Sequence, residues 1–168
     1  MTERLLVEKL REAQILHHES VTLRNGETSD LYVDVKKAYG NPDLLRHMAQ
    51  LTLQNLDKRT SCIAAAGYGG LPLGVAMSLQ SGLPIALVRD VPKGHGKAEI
   101  IDGYIPSVNE YVSVVDDVFT TGGSLRQTIS TLQNIGVEVV GCHVVVARGD
   151  SSDFAFPVSY LLKPEDII

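Results

Sequence analysis

The sequence predicts an α/β fold: a central, mostly parallel sheet flanked by helices, interrupted by one long loop. Three observations predict it. Apolar runs such as CIAAA and VVVA are β-branched or small on both faces, as strands buried from both sides are. These runs alternate with stretches of helical periodicity. Glycine-rich turns follow the strand ends, and in such sheets ligands bind beyond the carboxyl ends of the strands.

Taken in order, residues 2–13 place Leu5, Leu6 and Leu10 at helical spacing behind Thr2 as an N-cap. Residues 21–35 read as two short strands around a turn at Arg24, Asn25 and Gly26. Asn41 and Pro42 open a helix whose apolar face is Leu44, Leu45, Met48, Leu51 and Leu56. Cys62–Ala66 is a buried strand, residues 70–80 a helix and residues 84–89 a second strand. Residues 90–106 then interrupt the alternation with a long loop rich in glycine, proline and charge, which suits a mobile lid. Residues 111–116 form a third strand, 125–135 a helix ended by Gly136, and 139–147 a fourth strand.

The chain of 168 residues fits one domain, residues 1–168, with a sizeable core. A net charge of −5 argues against a nucleic-acid partner, which calls for a basic face. Cys62 and Cys142 sit in apolar runs and read as small buried hydrophobes rather than a disulfide or metal pair. His17, His18, His47 and His143 lack ligand spacing. No stretch is long or apolar enough for a membrane span and the N-terminus lacks a signal peptide's apolar centre, so no membrane partner and a cytoplasmic location are expected.

The run VSVVDDVFTTGGS, residues 112–124, carries the chemistry. A buried strand ends in two carboxylates, Asp116 and Asp117, followed by a Thr- and Gly-rich turn and a helix start. Unpaired backbone N–H groups of residues 120–124 and the helix dipole suit an anion there. Gly122 and Gly123 permit close approach, and the hydroxyls of Thr120, Thr121 and Ser124 add donors for phosphate oxygens. The carboxylates would repel that phosphate, so their partners are ribose hydroxyls, met directly or through a metal-bound water. The bland alternative is a capped helix without a ligand.

This run resembles the signature of the phosphoribosyltransferases, which bind phosphoribosyl pyrophosphate (PRPP). The resemblance implies the type I phosphoribosyltransferase fold, a mostly parallel sheet flanked by helices with a small N-terminal hood and a flexible lid loop, and nearly the whole chain is similar to the orotate-using branch of that family. VTLRNGETSDLYVDVKK is similar to the branch's N-terminal segment, which implies that Arg24 contacts the PRPP phosphates and Tyr32 the base, orotate; a surface hairpin is the alternative. AAAGYGGLPLG resembles the loop that holds pyrophosphate, implicating Tyr68, Gly69 and the adjoining backbone. Arg89, Lys93, His95 and Gly96 match the family's lid. By that resemblance Arg89 binds PRPP, while Lys93, His95 and Asp117 are catalytic. Val118 joins Asp116, Asp117 and residues 120–124 in the PRPP site. Arg148, at the last strand's end, would pair with the carboxylate of orotate, with Thr121 beside it; a surface pair with Asp150 is the alternative.

The resemblance further implies Mg²⁺ as cofactor, held mainly by PRPP and through water by Asp116 or Asp117, with no direct side-chain ligand. It implies PRPP and orotate as substrates, and a homodimer in which one subunit's lid reaches its neighbour's site. Two positions depart from the family pattern. Asp90 and Gly69 stand where lysines are usual, so the pyrophosphate side has lost expected cations. A PRPP-binding regulator with weak catalysis is the alternative consistent with those two positions, and a phosphoribosyltransferase for a purine is another, because base specificity rests on few contacts. The N-terminal segment offers no clear DNA-binding motif. Lys36 and Lys37 read either as phosphate contacts or as solvated side chains.

Overall fold

The structure, a computed structural model, describes residues 3–17, 21–22, 28–29, 31–89 and 100–168. Thr2, Arg24, Asp90, Lys93 and His95 lie outside the described residues, as does the hairpin turn.

Helix α1 (Glu3–Glu12) buries Leu6 and Leu10. The hood follows as two small antiparallel pairs. Strand β1 (Leu16–His17) pairs with β4 (Tyr32–Val33), and between them β2 (Val21–Thr22) pairs with β3 (Thr28–Ser29). A short helix, α2 (Lys36–Tyr39), leads into α3 (Pro42–Gln54). The Asn41 side chain accepts from the N–H groups of Asp43 and Leu44 at 3.0 and 3.2 Å, and Pro42 occupies the first turn, where its missing donor costs nothing.

The central sheet has six strands: β5 (Cys62–Ala66), β6 (Ile85–Val88), β7 (Ile101–Gly103), β8 (Tyr111–Phe119), β9 (Glu138–Ala147) and β10 (Val158–Leu162). Their order is β10-β9-β8-β5-β6-β7, and every pair is parallel except β6 with β7. Helix α4 (Gly67–Ser81) joins β5 to β6, and α5 (Gly123–Gln133) joins β8 to β9. A final short helix, α6 (Pro164–Ile167), lies against α1. One face of the sheet packs Ile63, Val115 and Val145 against Leu44 and Met48 of α3 and Leu73 and Met77 of α4. The other packs Cys62, Ala64, Val112, Val114, Cys142 and Val144 against Leu125, Ile129 and Leu132 of α5. Both cysteines are free and buried. No helix among the described residues is long and apolar enough to cross a membrane.

Three expectations are corrected. Residues 101–103, assigned to the lid, form an edge strand whose Asp102 pairs with Leu87 of β6. Of the proposed lid, residues 90–99 lie outside the described residues, and residues 100 and 104–106 flank the strand without regular structure. Helix α4 starts at Gly67, three residues before the expected 70. Its glycines read as loop, but they allow helix and sheet to touch. A Cβ on Gly70 would meet the Val115 carbonyl at 2.5 Å, and one on Gly74 would meet the Ala65 Cβ at 2.9 Å. Strand β8 runs three residues past the expected end, so the acid pair lies within it.

Candidate active site

Going from β6 to β10, the parallel strands run in the order β6-β5-β8-β9-β10, so the chain reverses direction across the sheet between β5 and β8. Connections leave those two strands toward opposite faces, which opens a crevice at their carboxyl ends. A cleft of about 630 Å³ sits there, lined by Ala66 at the end of β5, Gly67 at the start of α4, and Asp116, Asp117 and Val118 from β8. Tyr32, Lys36, Tyr68, Gly69, Thr120, Ser124 and Arg148 complete its walls.

Strand alternation sends the two adjacent acids to opposite sides. Asp116 faces α5. Its Oδ2 accepts from the Ser124 hydroxyl at 2.8 Å and its Oδ1 from the Asp117 N–H at 2.9 Å. Ser124 therefore spends its hydroxyl proton on Asp116 rather than leaving it for a phosphate. Burial, reinforced by the charge of Asp117, pushes the Asp116 carboxyl well above the usual carboxylate range. Asp117 faces the N-terminus of α4 and the hood. Its Oδ1 accepts from the Val118 N–H at 2.9 Å, and its Oδ2 lies 3.4 Å from the Lys36 ammonium. Gly69 is what makes room for it: a Cβ there would stand 2.3 Å from Asp117 Oδ1. The lysine expected at position 69 is incompatible with this placement of Asp117.

Beyond β8 the chain turns at Gly122, whose φ of 75° lies in the left-handed region. A Cβ there would also strike the Phe154 ring at 2.5 Å. The Arg126 N–H is the first in α5 to donate backward, to the Gly122 carbonyl at 2.9 Å. The N–H groups ahead of it are the open donors of a helix start. Thr121, Gly123 and Ser124 are exposed there, on the rim of the cleft. The loop is braced from below: Phe119 and Phe154 meet edge to face at 5.4 Å, and Arg126 stacks on Phe154 while donating to the Thr121 carbonyl at 2.6 Å. A loop held this way presents its donors without rearrangement.

Arg148 follows β9, and its N–H donates to the Phe119 carbonyl at 2.8 Å. Gly149 repeats that contact at 3.2 Å, and a Cβ on it would fall 1.9 Å from the Thr120 carbonyl. The arginine's neighbour is thus a glycine because two strand ends close on each other there. Asp150, the alternative partner of Arg148, instead accepts from the Ser152 N–H at 2.9 Å. Arg89 is drawn away from the cleft into an ion pair with Asp102 on β7.

The structure therefore brings together Tyr32, Tyr68, Gly69, Asp116, Asp117, Val118, Thr120, Ser124 and Arg148 on the cleft. Thr121, Gly122 and Gly123 lie on the adjoining loop, and Arg89 lies outside it. Sequence reasoning missed two contributors. The sequence does not distinguish Lys36 as a contact from a solvated lysine, and the one signal for Gly149, the glycine of VVVARGD, is that it directly follows the strand-end arginine.

A strand-end acid pair at the reversal of strand order, a braced threonine- and glycine-rich helix start and a strand-end arginine define a class of α/β proteins that bind sugar phosphates. The Phosphoribosyl transferase domain family matches residues 37–155, and the chain belongs to that family. Its relatives include the orotate phosphoribosyltransferase of Methanosphaera stadtmanae, 34% identical over 156 residues, covering 90% of this chain and 85% of that one. The orotate phosphoribosyltransferase of Thermococcus gammatolerans is 32% identical over 151 residues, covering 88% and 79%. Among solved structures, the orotate phosphoribosyltransferase from Aeropyrum pernix superposes with a TM-score of 0.82 at 26% identity, covering 96% of this chain and 95% of that one.

Proposed function

We propose that this protein is an orotate phosphoribosyltransferase of pyrimidine biosynthesis, with residues 1–168 acting as one catalytic domain. It moves the phosphoribosyl group of PRPP to orotate, giving orotidine 5′-monophosphate and pyrophosphate. The bond from the anomeric carbon to pyrophosphate breaks, a bond from that carbon to a ring nitrogen of orotate forms, and the proton of that nitrogen passes to the departing pyrophosphate or to solvent. The observation that carries the reading is the division of labour across the cleft: a carboxylate facing the interior, an anion-binding helix start to one side and Arg148 at the next strand end.

In this reading the loop of Thr120, Thr121, Gly122, Gly123 and Ser124 takes the 5′-phosphate through its backbone N–H groups. Asp117, with Val118 beside it, accepts from the ribose hydroxyls. Asp116 already spends both oxygens inside the protein, so its part is to hold the loop against β8. Arg148 pairs with the carboxylate of orotate as a planar fork, and Tyr32 covers the base. Lys93 and His95 stabilise the departing pyrophosphate when residues 90–99 close, with Arg24, Tyr68, Gly69 and Arg89 as further PRPP contacts.

Mg²⁺ completes the reading. Asp117, on the cleft wall, would hold the ion through water, with oxygens of the substrate supplying its other ligands. When bound, the ion would neutralise charge on the leaving group. The reading also includes a homodimer whose lids reach across; the outward-facing apolar side chains Tyr68, Val75 and Leu79 of α4 support it, and sedimentation measures it.

A coupled assay with PRPP, Mg²⁺ and each nucleobase in turn tests the assignment. Orotate turnover is expected. Turnover of adenine or hypoxanthine with none of orotate overturns the base assignment, and PRPP binding with no turnover of any base identifies a regulator instead.

A further inference from the structure

Lys36 stands where three parts of the cleft meet. Its Nζ lies 3.0 Å from Asp34 Oδ1 and 3.4 Å from Asp117 Oδ2. The helix that carries it is tied to the start of α4 by Tyr39, whose hydroxyl donates to the Gly69 carbonyl at 2.8 Å. Its neighbour Lys37 points elsewhere, toward the carbonyl of Gln14 at 3.5 Å.

Charge makes the placement consequential. The described walls of the cleft hold two carboxylates, Asp116 and Asp117, and two cations, Lys36 and Arg148. Arg148 is on the β9 side. Lys36 is the cation on the Asp117 and Gly69 side. A substrate carrying a diphosphate meets repulsion from an uncompensated carboxylate there, and in a partly buried site that repulsion is weakly screened. Partial burial disfavours the ammonium, but Asp34 and Asp117 outweigh it and leave the Lys36 pKa above its ordinary value, so the charge persists at neutral pH.

We propose that Lys36 is the positioning residue for Asp117, fixing that carboxylate against Gly69 for the ribose, and that its charge admits the diphosphate end of the substrate to this wall. Asp34 anchors the ammonium from behind, so Lys36 neutralises Asp117 without leaving the cleft. Because Gly69 lacks a side chain, Lys36 supplies from α2 a charge that the α4 start does not carry. The proposal rests on the PRPP reading above and is independent of which base reacts.

The test measures steady-state kinetics with PRPP and orotate, and calorimetric titration of PRPP with Mg²⁺ and no base. Lys36→Met is expected to raise the KM for PRPP and its dissociation constant by about tenfold, the scale of one charge-assisted contact. The KM for orotate and the melting temperature stay near wild type. Lys36→Arg recovers most of the loss, and Lys37→Met changes neither constant. Wild-type PRPP binding in Lys36→Met overturns the proposal, as does an arginine variant no better than methionine. Should the wild type bind PRPP yet leave orotate unreacted, the base assignment fails, while the calorimetric difference still decides the role of Lys36.

Discussion

His143 should make this protein acid-sensitive through one identifiable group. It sits on β9, 4% exposed, with Nδ1 2.6 Å from the Ser159 hydroxyl and Nε2 3.2 Å from that of Ser113. Ser113 in turn meets the Thr60 hydroxyl at 2.8 Å. Hydroxyls satisfy a neutral ring in either tautomer but give an imidazolium no counter-charge. Burial accordingly pulls the His143 pKa down to about 4, opposed only in part by Asp57. The unfolded chain takes up this proton near the ordinary value of 6.5. Stability from the group is therefore complete above that value and is lost as the pH falls from it toward 4. The whole loss is about 3 kcal/mol, of which about 2 kcal/mol is gone by pH 5. Urea unfolding followed by circular dichroism at pH 7.5, 6 and 5 measures it against His143→Gln. The variant starts less stable at pH 7.5, because it disturbs a packed network, but loses about 2 kcal/mol less on acidification to pH 5. Parallel pH dependences in the two proteins would refute the reasoning.

Three further outcomes follow from the site. Asp116 has a raised folded-state pKa, so its contribution to stability is present below the ordinary carboxylate value and is lost as the pH rises toward neutrality; Asp116→Asn should therefore gain stability relative to wild type between pH 4 and 7.5, read from the same unfolding curves. Gly149→Ala puts a Cβ 1.9 Å from the Thr120 carbonyl and must push two strand ends apart, so a loss of about 2 kcal/mol or more in stability and a weakened phosphate site are expected, checked by thermal melting and phosphate titration. Arg148→Ala should raise the KM for orotate by about tenfold to a hundredfold, as expected for a lost charged hydrogen-bond partner, and leave PRPP binding near wild type by calorimetry.

The parallel core was legible in the sequence because its evidence is local. Cys62–Ala66 appears at its observed bounds, since five small or apolar residues between turn signals leave a buried strand as the simplest reading. Asn41 and Pro42 announced α3 through capping chemistry alone. The edge strand β7 was hidden, because IDG has neither length nor alternation and becomes a strand only by pairing with β6. The last strand, β10, lies beyond the fourth predicted strand, and its pairing with β9 is likewise a tertiary fact. The start of α4 was misread because Gly-Tyr-Gly-Gly with a proline following has the composition of a loop, and close packing on Val115 overrides that preference.

For the site, the sequence by itself determined which groups are available: the adjacent acids, the hydroxyl- and glycine-rich turn, the strand-end arginine and, by resemblance, the substrate class. Motifs contiguous in the chain carry that information because neighbours in sequence remain neighbours in space. Only the tertiary structure decided how those groups divide the work. Pleating turned Asp116 inward to Ser124 and Asp117 outward to Lys36, a residue 81 positions away. Packing made Gly69 and Gly149 obligatory by bringing a carboxylate and a carbonyl to where a Cβ would stand. Such contacts join segments distant in the chain, so no local pattern encodes them, and they appear only when the sheet closes.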